Sequence, residues 1–198
     1  NIEFQYQDRS IKRNGNYLPQ LETNNLLSKV AERKSMVLTP KDFIDAVWPV
    51  AKEFAKHLGV DPKMLVAQAA HETGWGKYIN EDSKGASSFN LFNIKAGSSW
   101  NKKEVDVLTT EYVNGKAIKV NEPFRSYTSF DDSFKDYVSL IKNNDRYEKA
   151  LSVSHDPKRY IEHLQEAGYA TDPNYADKIM SIYEGDRLTS TLQDKERK

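Results

Sequence analysis

Glu72 stands where a carboxyl group can keep its proton near neutral pH. It follows the apolar residues 64–70 and precedes Gly74, so the sequence predicts that it lies at the C-terminus of a helix. The helix dipole and apolar neighbours both disfavour a negative charge there, and both therefore raise the pKa of the carboxyl group. A glutamic acid in such a place can act as a general acid that protonates a leaving group.

Glu111 is the candidate for a second carboxylate. It stands 39 positions after Glu72, among β-branched residues around Asn114 and Gly115, a pair that favours a type I′ hairpin turn. Cleavage of a glycosidic bond usually takes one protonated carboxyl group and one carboxylate that activates water or stabilises the transition state. Spacing alone does not select Glu111, because the same segment holds three other acidic residues, Glu104, Asp106 and Glu122.

Apolar residues recur at helical spacing in the segment that precedes Glu72. Thr39 and Pro40 form a typical helix start, and apolar residues then recur at helical spacing as far as Gly59. Pro49 lies inside that pattern and lacks the donor that an interior turn needs, so we expect the helix to bend or split near Trp48.

Further helix starts combine a capping side chain with a following proline or acidic residue. They begin at Asp61, Ser129, Asp156 and Asp172. Residues 89–94 are too short and too mixed in type for a helix or strand, so we expect an ordered loop. The pattern predicts an α+β, mainly helical domain over residues 38–188, with one small β-hairpin lobe. A polar linker, residues 1–37, precedes this domain, and a charged tail, residues 189–198, follows it.

Composition excludes several classes of function. Lys plus Arg and Asp plus Glu are equal at 29 each, so no net charge draws the chain to nucleic acid. The chain has no cysteine and no apolar run long enough for a membrane insertion, and its first residues lack the apolar core of a cleavable signal. The four histidines show no paired ligand spacing, so the sequence predicts neither a metal site nor a cofactor.

Five short motifs follow one another across the predicted domain. They are AQAAHETGWG at 67–76, SFNLFNIK at 88–95, TTEY at 109–112, PFRSY at 123–127 and AGYATDP at 167–173. Together they resemble the family 73 glycoside hydrolases, the bacterial β-N-acetylglucosaminidases, and they are most similar to the flagellar type. The resemblance covers nearly all of residues 38–188.

The resemblance implies a lysozyme-like fold in which a helical lobe and a β-hairpin lobe flank a substrate cleft. It implies that Glu72 is the general acid, that Glu111 is the second carboxylate and that Tyr169 lies near the reacting sugar. Further residues of these motifs are predicted to bind substrate through rings or amide groups: Trp75, Asn90, Phe92, Asn93 and Tyr127. For Trp75 the residue pattern favours core packing equally, and for the two asparagines it also allows a role in turns.

The implied activity is that of an endo-β-N-acetylglucosaminidase that cleaves the β-1,4 bond between N-acetylglucosamine and N-acetylmuramic acid in peptidoglycan. The flagellar type also implies flagellar rod proteins as partners and a periplasmic location, reached without a visible cleavable signal. Two alternatives stay open, a lytic transglycosylase and a non-catalytic glycan-binding or rod scaffold module. The residues also leave open whether Glu111 activates water or the substrate's own N-acetyl group assists.

Overall fold

The computed structural model describes residues 39–197, which form seven α-helices and one antiparallel hairpin. The helices are α1 (Pro40–Ala55), α2 (Pro62–Thr73), α3 (Phe130–Asn143), α4 (Glu148–Ser152), α5 (Pro157–Glu166), α6 (Tyr175–Tyr183) and α7 (Asp186–Glu196). The strands are β1 (Glu104–Val113) and β2 (Lys116–Arg125), and they follow α2 in the chain. This arrangement confirms the predicted mainly helical α+β class. The predicted linker, residues 1–37, lies outside the described residues.

Helix α2 forms the centre of the core and carries Glu72 at its end. Seven consecutive side chains, those of residues 64–70, are buried, because α2 packs against α1 on one side and α6 on another. A helix that is buried on most of its faces has a nearly continuous apolar sequence, as α2 does. The helix ends at Gly74, whose φ of 54° is left-handed and whose Cβ, if it had one, would lie 2.6 Å from the Tyr78 ring. Glycine therefore fixes where α2 ends and where Glu72 stands.

The predicted helix starts at Thr39, Asp61, Ser129 and Asp156 are confirmed. In each case the side chain accepts a hydrogen bond from a backbone N–H of the first turn. Helix α1 runs without a break from Pro40 to Ala55, so of the two outcomes expected at Pro49 the helix does not split. Val47 and Ala51 on either side of Pro49 are fully buried, and their packing offsets the hydrogen bond that proline cannot make.

The β-hairpin is attached to the helical core at one end. Its turn is formed by Asn114 and Gly115, both at positive φ, as the sequence predicts. Val105 and Phe124 face each other at the base and are almost fully buried. Lys95 pairs with Phe124 through a short β-bridge, which ties the predicted loop around residues 89–94 to the base of the hairpin.

Four helical segments differ from the sequence prediction. The short helix α4 and the 3-10 turn Asp145–Tyr147 before it were not predicted. Helix α6 begins at Tyr175 rather than directly after Asp172, whose side chain instead accepts from the Asn174 N–H. The predicted charged tail forms most of helix α7, because Leu188 and Leu192 lie one turn apart and are buried against the core. No helix in residues 39–197 is long and apolar enough to span a membrane.

Candidate active site

A cleft of about 490 Å³ separates the end of α2 from the hairpin. Glu72 and His71 line it from the helical side, and Glu111 lines it from β1. The remaining walls come from the segment that includes Asn93, from the loop that includes Tyr169, and from the end of α3 with the 3-10 turn that follows it. The structure thus brings together the two carboxylates that stand 39 positions apart in the sequence.

Two neutral donors hold the carboxyl group of Glu72. The Tyr175 hydroxyl donates to Oε1 at 2.6 Å, and the Asn93 amide donates to Oε2 at 2.9 Å. Burial raises the pKa of Glu72 to about 7 even though both hydrogen bonds act in the opposite direction. The carboxyl group is therefore about half protonated at neutral pH, as a general acid requires.

Asn93 also anchors the end of helix α2. Its Nδ2 donates to the backbone carbonyl of Glu72 at 2.8 Å as well as to the side chain of the same residue. Asn93 has a φ of 49°, a left-handed conformation that asparagine tolerates better than most residues. One amide group thus fixes both the main chain and the carboxyl group of Glu72.

Glu111 is held by charged and neutral partners on opposite sides. Lys95 Nζ lies 2.6 Å from Oε1, and the Thr171 hydroxyl donates to Oε2 at 2.6 Å. Partial burial acts to raise the pKa of Glu111, but the hydrogen bonds from Lys95 and Thr171 and the charge of Lys95 outweigh it, so the pKa lies below its ordinary value. Glu111 is therefore ionised at the pH at which Glu72 still holds its proton.

Tyr169 reaches the cleft with its ring. Its hydroxyl donates to the backbone carbonyl of Phe92 at 2.7 Å, and its ring stacks on Tyr175 with centroids 5.9 Å apart. Burial raises the pKa of Tyr169 well above its ordinary value, so this hydroxyl stays neutral. Tyr169 therefore supports Tyr175, the residue that contacts Glu72.

Four of the predicted substrate-binding residues do not line this cleft. Phe92 is fully buried and stacks on Tyr137, and Trp75 packs edge-on against Phe43 in the core. Asn90 is also buried. Its amide nitrogen donates to the carbonyls of Ile94 and Arg125, and its amide oxygen accepts from the Ile94 N–H. The Tyr127 hydroxyl donates to Asp136 at 2.5 Å.

Phe92, Trp75, Asn90 and Tyr127 thus make contacts within the domain, whereas Asn93 lines the cleft. Three residues that contact the carboxylates escaped the sequence reasoning: Lys95, Thr171 and Tyr175. Lys95 and Thr171 occur in the motifs quoted above, but their type and spacing carry no sign of a partner. Tyr175 lies 103 positions from Glu72, so only the packing of α6 on α2 brings the two together.

The site combines a protonated carboxyl group and an ionised carboxylate at one cleft. Two carboxyl groups whose surroundings push their pKa values apart can divide the roles of acid and base between them. Within residues 39–197, no group of three His, Asp or Glu side chains is arranged to hold a metal ion. The chemistry that these side chains themselves support is acid–base catalysis of bond cleavage.

Comparison with known proteins finds peptidoglycan hydrolases that are similar to this chain. The peptidoglycan hydrolase FlgJ of Pseudomonas aeruginosa is 51% identical over 153 residues, which cover 77% of this chain and 38% of that protein. A crystal structure of a mutant peptidoglycan hydrolase from Sphingomonas sp. A1 matches with a TM-score of 0.74 and 46% identity, over 78% of this chain and 99% of that one.

The C-terminally truncated glycoside hydrolase domain of Salmonella typhimurium FlgJ is also similar. It matches with a TM-score of 0.62 and 38% identity, over 77% of this chain and 99% of that domain. The lysozyme-like fold implied by the motifs is thus confirmed by solved structures. Residues 48–188 match the glucosaminidase family, which is described as mannosyl-glycoprotein endo-β-N-acetylglucosaminidase. The chain therefore belongs to the glucosaminidase family of glycoside hydrolases.

Proposed function

We propose that the domain is a peptidoglycan hydrolase, an endo-β-N-acetylglucosaminidase that cleaves the β-1,4 bond between N-acetylglucosamine and N-acetylmuramic acid. The observation that carries the proposal is that a carboxyl group with a pKa of about 7 and an ionised carboxylate line the same cleft. The similarity to FlgJ and to the Sphingomonas peptidoglycan hydrolase supports peptidoglycan as the substrate.

Glu72 is the general acid in this proposal. Its proton passes to the leaving glycosidic oxygen as the bond to the anomeric carbon breaks, and the resulting carboxylate is stabilised by Tyr175 and Asn93. Burial makes the protonated form available near neutral pH, and the two donors then accommodate the charge that forms on Glu72.

Glu111 is the second carboxylate. Because it is ionised, it can accept a proton from an attacking water and also stabilise the positive charge that develops on the sugar ring. If Glu111 activates water on the opposite face of the sugar, the product has an inverted anomeric centre. If the N-acetyl group of the substrate attacks instead, the product retains its configuration, and NMR of the first product formed separates these routes.

The proposed setting is the cell wall beside the growing flagellar rod, in the periplasm. The support is the similarity to FlgJ, of which the chain spans 38% in Pseudomonas aeruginosa and 50% in Vibrio parahaemolyticus. In this proposal residues 38–188 are the catalytic domain, and flagellar rod proteins are its partners. Release of muropeptides from purified cell walls, with and without rod protein present, tests that setting.

The direct test is Glu72→Gln assayed on purified cell walls. The amide has nearly the same shape as the acid but holds no acidic proton, so we expect a loss of about 10²-fold or more. Glu53→Gln on the exposed surface of α1 is the matched control and should keep full activity. Residual activity of Glu72→Gln above a tenth of wild type, with an unchanged circular dichroism spectrum, would remove Glu72 from the role.

Mass spectrometry of the wild-type products separates the alternatives. A reducing N-acetylglucosamine end supports the proposed bond, and a reducing N-acetylmuramic acid end contradicts it. An anhydro end would identify a lytic transglycosylase, in which no water is added. Binding to the walls without any release of fragments would identify a glycan-binding module.

A further inference from the structure

A chain of buried hydrogen bonds runs from the core of the protein to Glu72. Tyr137 donates to Gln68 Oε1 at 2.7 Å, Gln68 Nε2 donates to the Tyr175 oxygen at 3.0 Å, and Tyr175 donates to Glu72 Oε1 at 2.6 Å. Gln68, Tyr137 and Tyr175 are at most 1% exposed. Tyr160, which is also buried, adds a further hydrogen bond to the Tyr137 oxygen at 2.5 Å.

When Glu72 is ionised, its carboxylate can only accept, so Tyr175 donates to it and accepts in turn from the amide nitrogen of Gln68. Gln68 Oε1 can only accept, so the single proton of Tyr137 points towards it and Tyr160 must donate to Tyr137. The amide nitrogen of Gln68 therefore faces Tyr175 and donates to it. Because the Tyr175 oxygen accepts this bond, its own proton is free for Glu72.

We propose that Gln68 is a positioning residue for the acid and that Tyr137, by donating to Oε1, stabilises the orientation in which the Gln68 amide nitrogen faces Tyr175. This rests on the proposed role of Glu72 as general acid. Tyr175 occupies one lone pair of Oε1, and Asn93 occupies one of Oε2. The acid proton is thereby left to the part of the carboxyl group that lines the cleft, where a leaving oxygen can receive it.

The reversed orientation of the Gln68 amide shows why its direction matters. With Oε1 facing Tyr175, the Tyr175 proton would go to Gln68 and not to Glu72. The carboxylate of Glu72 would lose one of its two donors, which raises its pKa. Protonated Glu72 could then donate to the buried Tyr175 oxygen, so its proton would point into the core, away from the substrate.

Glu72 is the group expected to titrate on the alkaline side of the activity profile. The pKa values of Tyr169 and Tyr175 are raised well above their ordinary value by burial, so both stay neutral there. Burial and the charge of Lys178 lower the pKa of His71, which therefore loses its proton before Glu72 does. The pKa values of Glu111 and Asp172 lie below their ordinary value, so both are ionised throughout this range. Three further charged side chains line the cleft: Lys95, Arg125 and Arg146.

The test compares Tyr137→Phe with Tyr160→Phe. Both remove one buried hydroxyl from the core, but only Tyr137→Phe releases the Gln68 amide, because Tyr160 does not contact it. We expect Tyr137→Phe to lower kcat severalfold with little change in KM, and to move the alkaline limb up by as much as about one pH unit. Tyr160→Phe should leave that limb in place. Equal shifts in the two variants, or no shift in Tyr137→Phe, would overturn the proposal.

A double variant tests whether the shift caused by Tyr137→Phe can be reversed. When Gln68→Met is added to Tyr137→Phe, Tyr175 has no amide to donate to and keeps Glu72 as its acceptor. The alkaline limb should therefore return towards the wild-type position although a second buried residue has changed. Damage to the core alone predicts the opposite, a limb that stays displaced and a further loss of activity.

A further test uses the wild-type protein and so does not depend on the folding of a variant. Neutron diffraction above pH 8, where Glu72 is ionised, should show the deuteron of Tyr175 on the side of Glu72 and two deuterons on the Gln68 atom that faces Tyr175. A Tyr175 deuteron on the side of Gln68 overturns the proposal. An active Glu72→Gln would refute the acid role itself while leaving these deuteron positions unchanged, so the two failures are distinguishable.

Discussion

Lys95 Nζ lies 2.6 Å from Glu111 Oε1 and 3.6 Å from Glu122 Oε1, so one ammonium group contacts both strands of the hairpin. The side chain of Glu111 is 17% exposed and that of Lys95 is 44% exposed, so the ion pair is partly shielded from water. This pair connects the helical lobe to the carboxylate carried by β1. It therefore sets both the position of Glu111 and the pH at which Glu111 is ionised.

Replacing Lys95 with Met should displace the acidic limb of the activity profile. The pKa of Glu111 lies below its ordinary value, so activity that depends on the ionised form is lost as the pH falls through that pKa. Without the ammonium group the pKa of Glu111 rises, and the limb moves to higher pH. We expect a severalfold larger loss at pH 5 than at pH 7, measured as kcat/KM on soluble peptidoglycan fragments.

Lys103→Met is the matched control for Lys95→Met. Lys103 forms a comparable surface ion pair with Asp82 at 2.9 Å but does not line the cleft. Its profile should coincide with that of the wild type. If Lys95→Met lowers activity by the same factor at every pH, Lys95 does not act through the ionisation of Glu111.

Replacing Thr171 with Val should release Glu111 without disturbing the core. The Thr171 oxygen accepts from the Tyr112 N–H at 3.1 Å and donates to Glu111, so one hydroxyl joins the hairpin to the loop before α6. Valine has the same shape but makes neither hydrogen bond, and Thr171 is exposed. We expect kcat to fall about tenfold, with little change in melting temperature.

Thr171→Ser keeps the hydroxyl and should retain most of the activity. Hydrogen exchange at Tyr112 gives a second reading, because its amide loses its acceptor in Thr171→Val alone. Comparable losses with serine and valine would show that the methyl group matters and the hydrogen bonds do not.

Glu72→Gln should change the pH dependence of stability as well as activity. The pKa of Glu72 is about 7 in the folded protein against 4.5 ordinarily, so the folded state holds more protons between these values. This contribution to the free energy of unfolding is complete below pH 4.5 and is lost as the pH rises to about 7, by around 3 kcal/mol. The glutamine variant lacks that loss, so it should gain stability relative to wild type as the pH increases.

Urea denaturation of the two proteins at pH 5 and pH 8 measures this difference. Glu53→Gln, at an exposed position, should follow the wild type at both pH values. A constant gap between wild type and Glu72→Gln across this range would mean that Glu72 titrates normally in the folded protein.

A chain that begins at Val37 should fold and keep its activity. The first described helix starts at Pro40 and is capped by Thr39, so this shorter chain retains its complete N-terminal turn. We expect a single cooperative melting transition and kcat/KM within about twofold of the longer chain. Loss of both would show that residues 1–36 belong to the folded unit.

The features that the sequence predicts well are those encoded over a few residues. Asp61 and Ser129 cap helices through amides two or three positions away, and Asn114 with Gly115 forms the turn that this pair favours. The placement of Glu72 at a helix end is likewise local, because Gly74 follows it. Its raised pKa agrees with the apolar run that precedes it.

The remaining features depend on contacts between distant parts of the chain. Nothing near Tyr175 or Thr171 in the sequence identifies a glutamate as its partner, since these pairs are 103 and 60 positions apart. Helix α7 was missed because many charged residues surround Leu188 and Leu192, which find their apolar surface only in the folded core. The contacts of Trp75 with Arg187 and Phe43 also join distant parts of the chain, so they form only in the folded protein.

The hairpin that carries Glu111 is one continuous insertion whose ends meet at Val105 and Phe124, whereas Glu72 is embedded in the most buried helix of the domain. The solvent-facing residues beyond that base can change at little cost to folding, because Leu108, Val113 and Ile118 are already exposed. Substitutions at these exposed positions should therefore leave the buried helix that carries Glu72 undisturbed. The two carboxylates are thus held in opposite ways: one belongs to the core of the domain, and the other is carried by a surface ribbon.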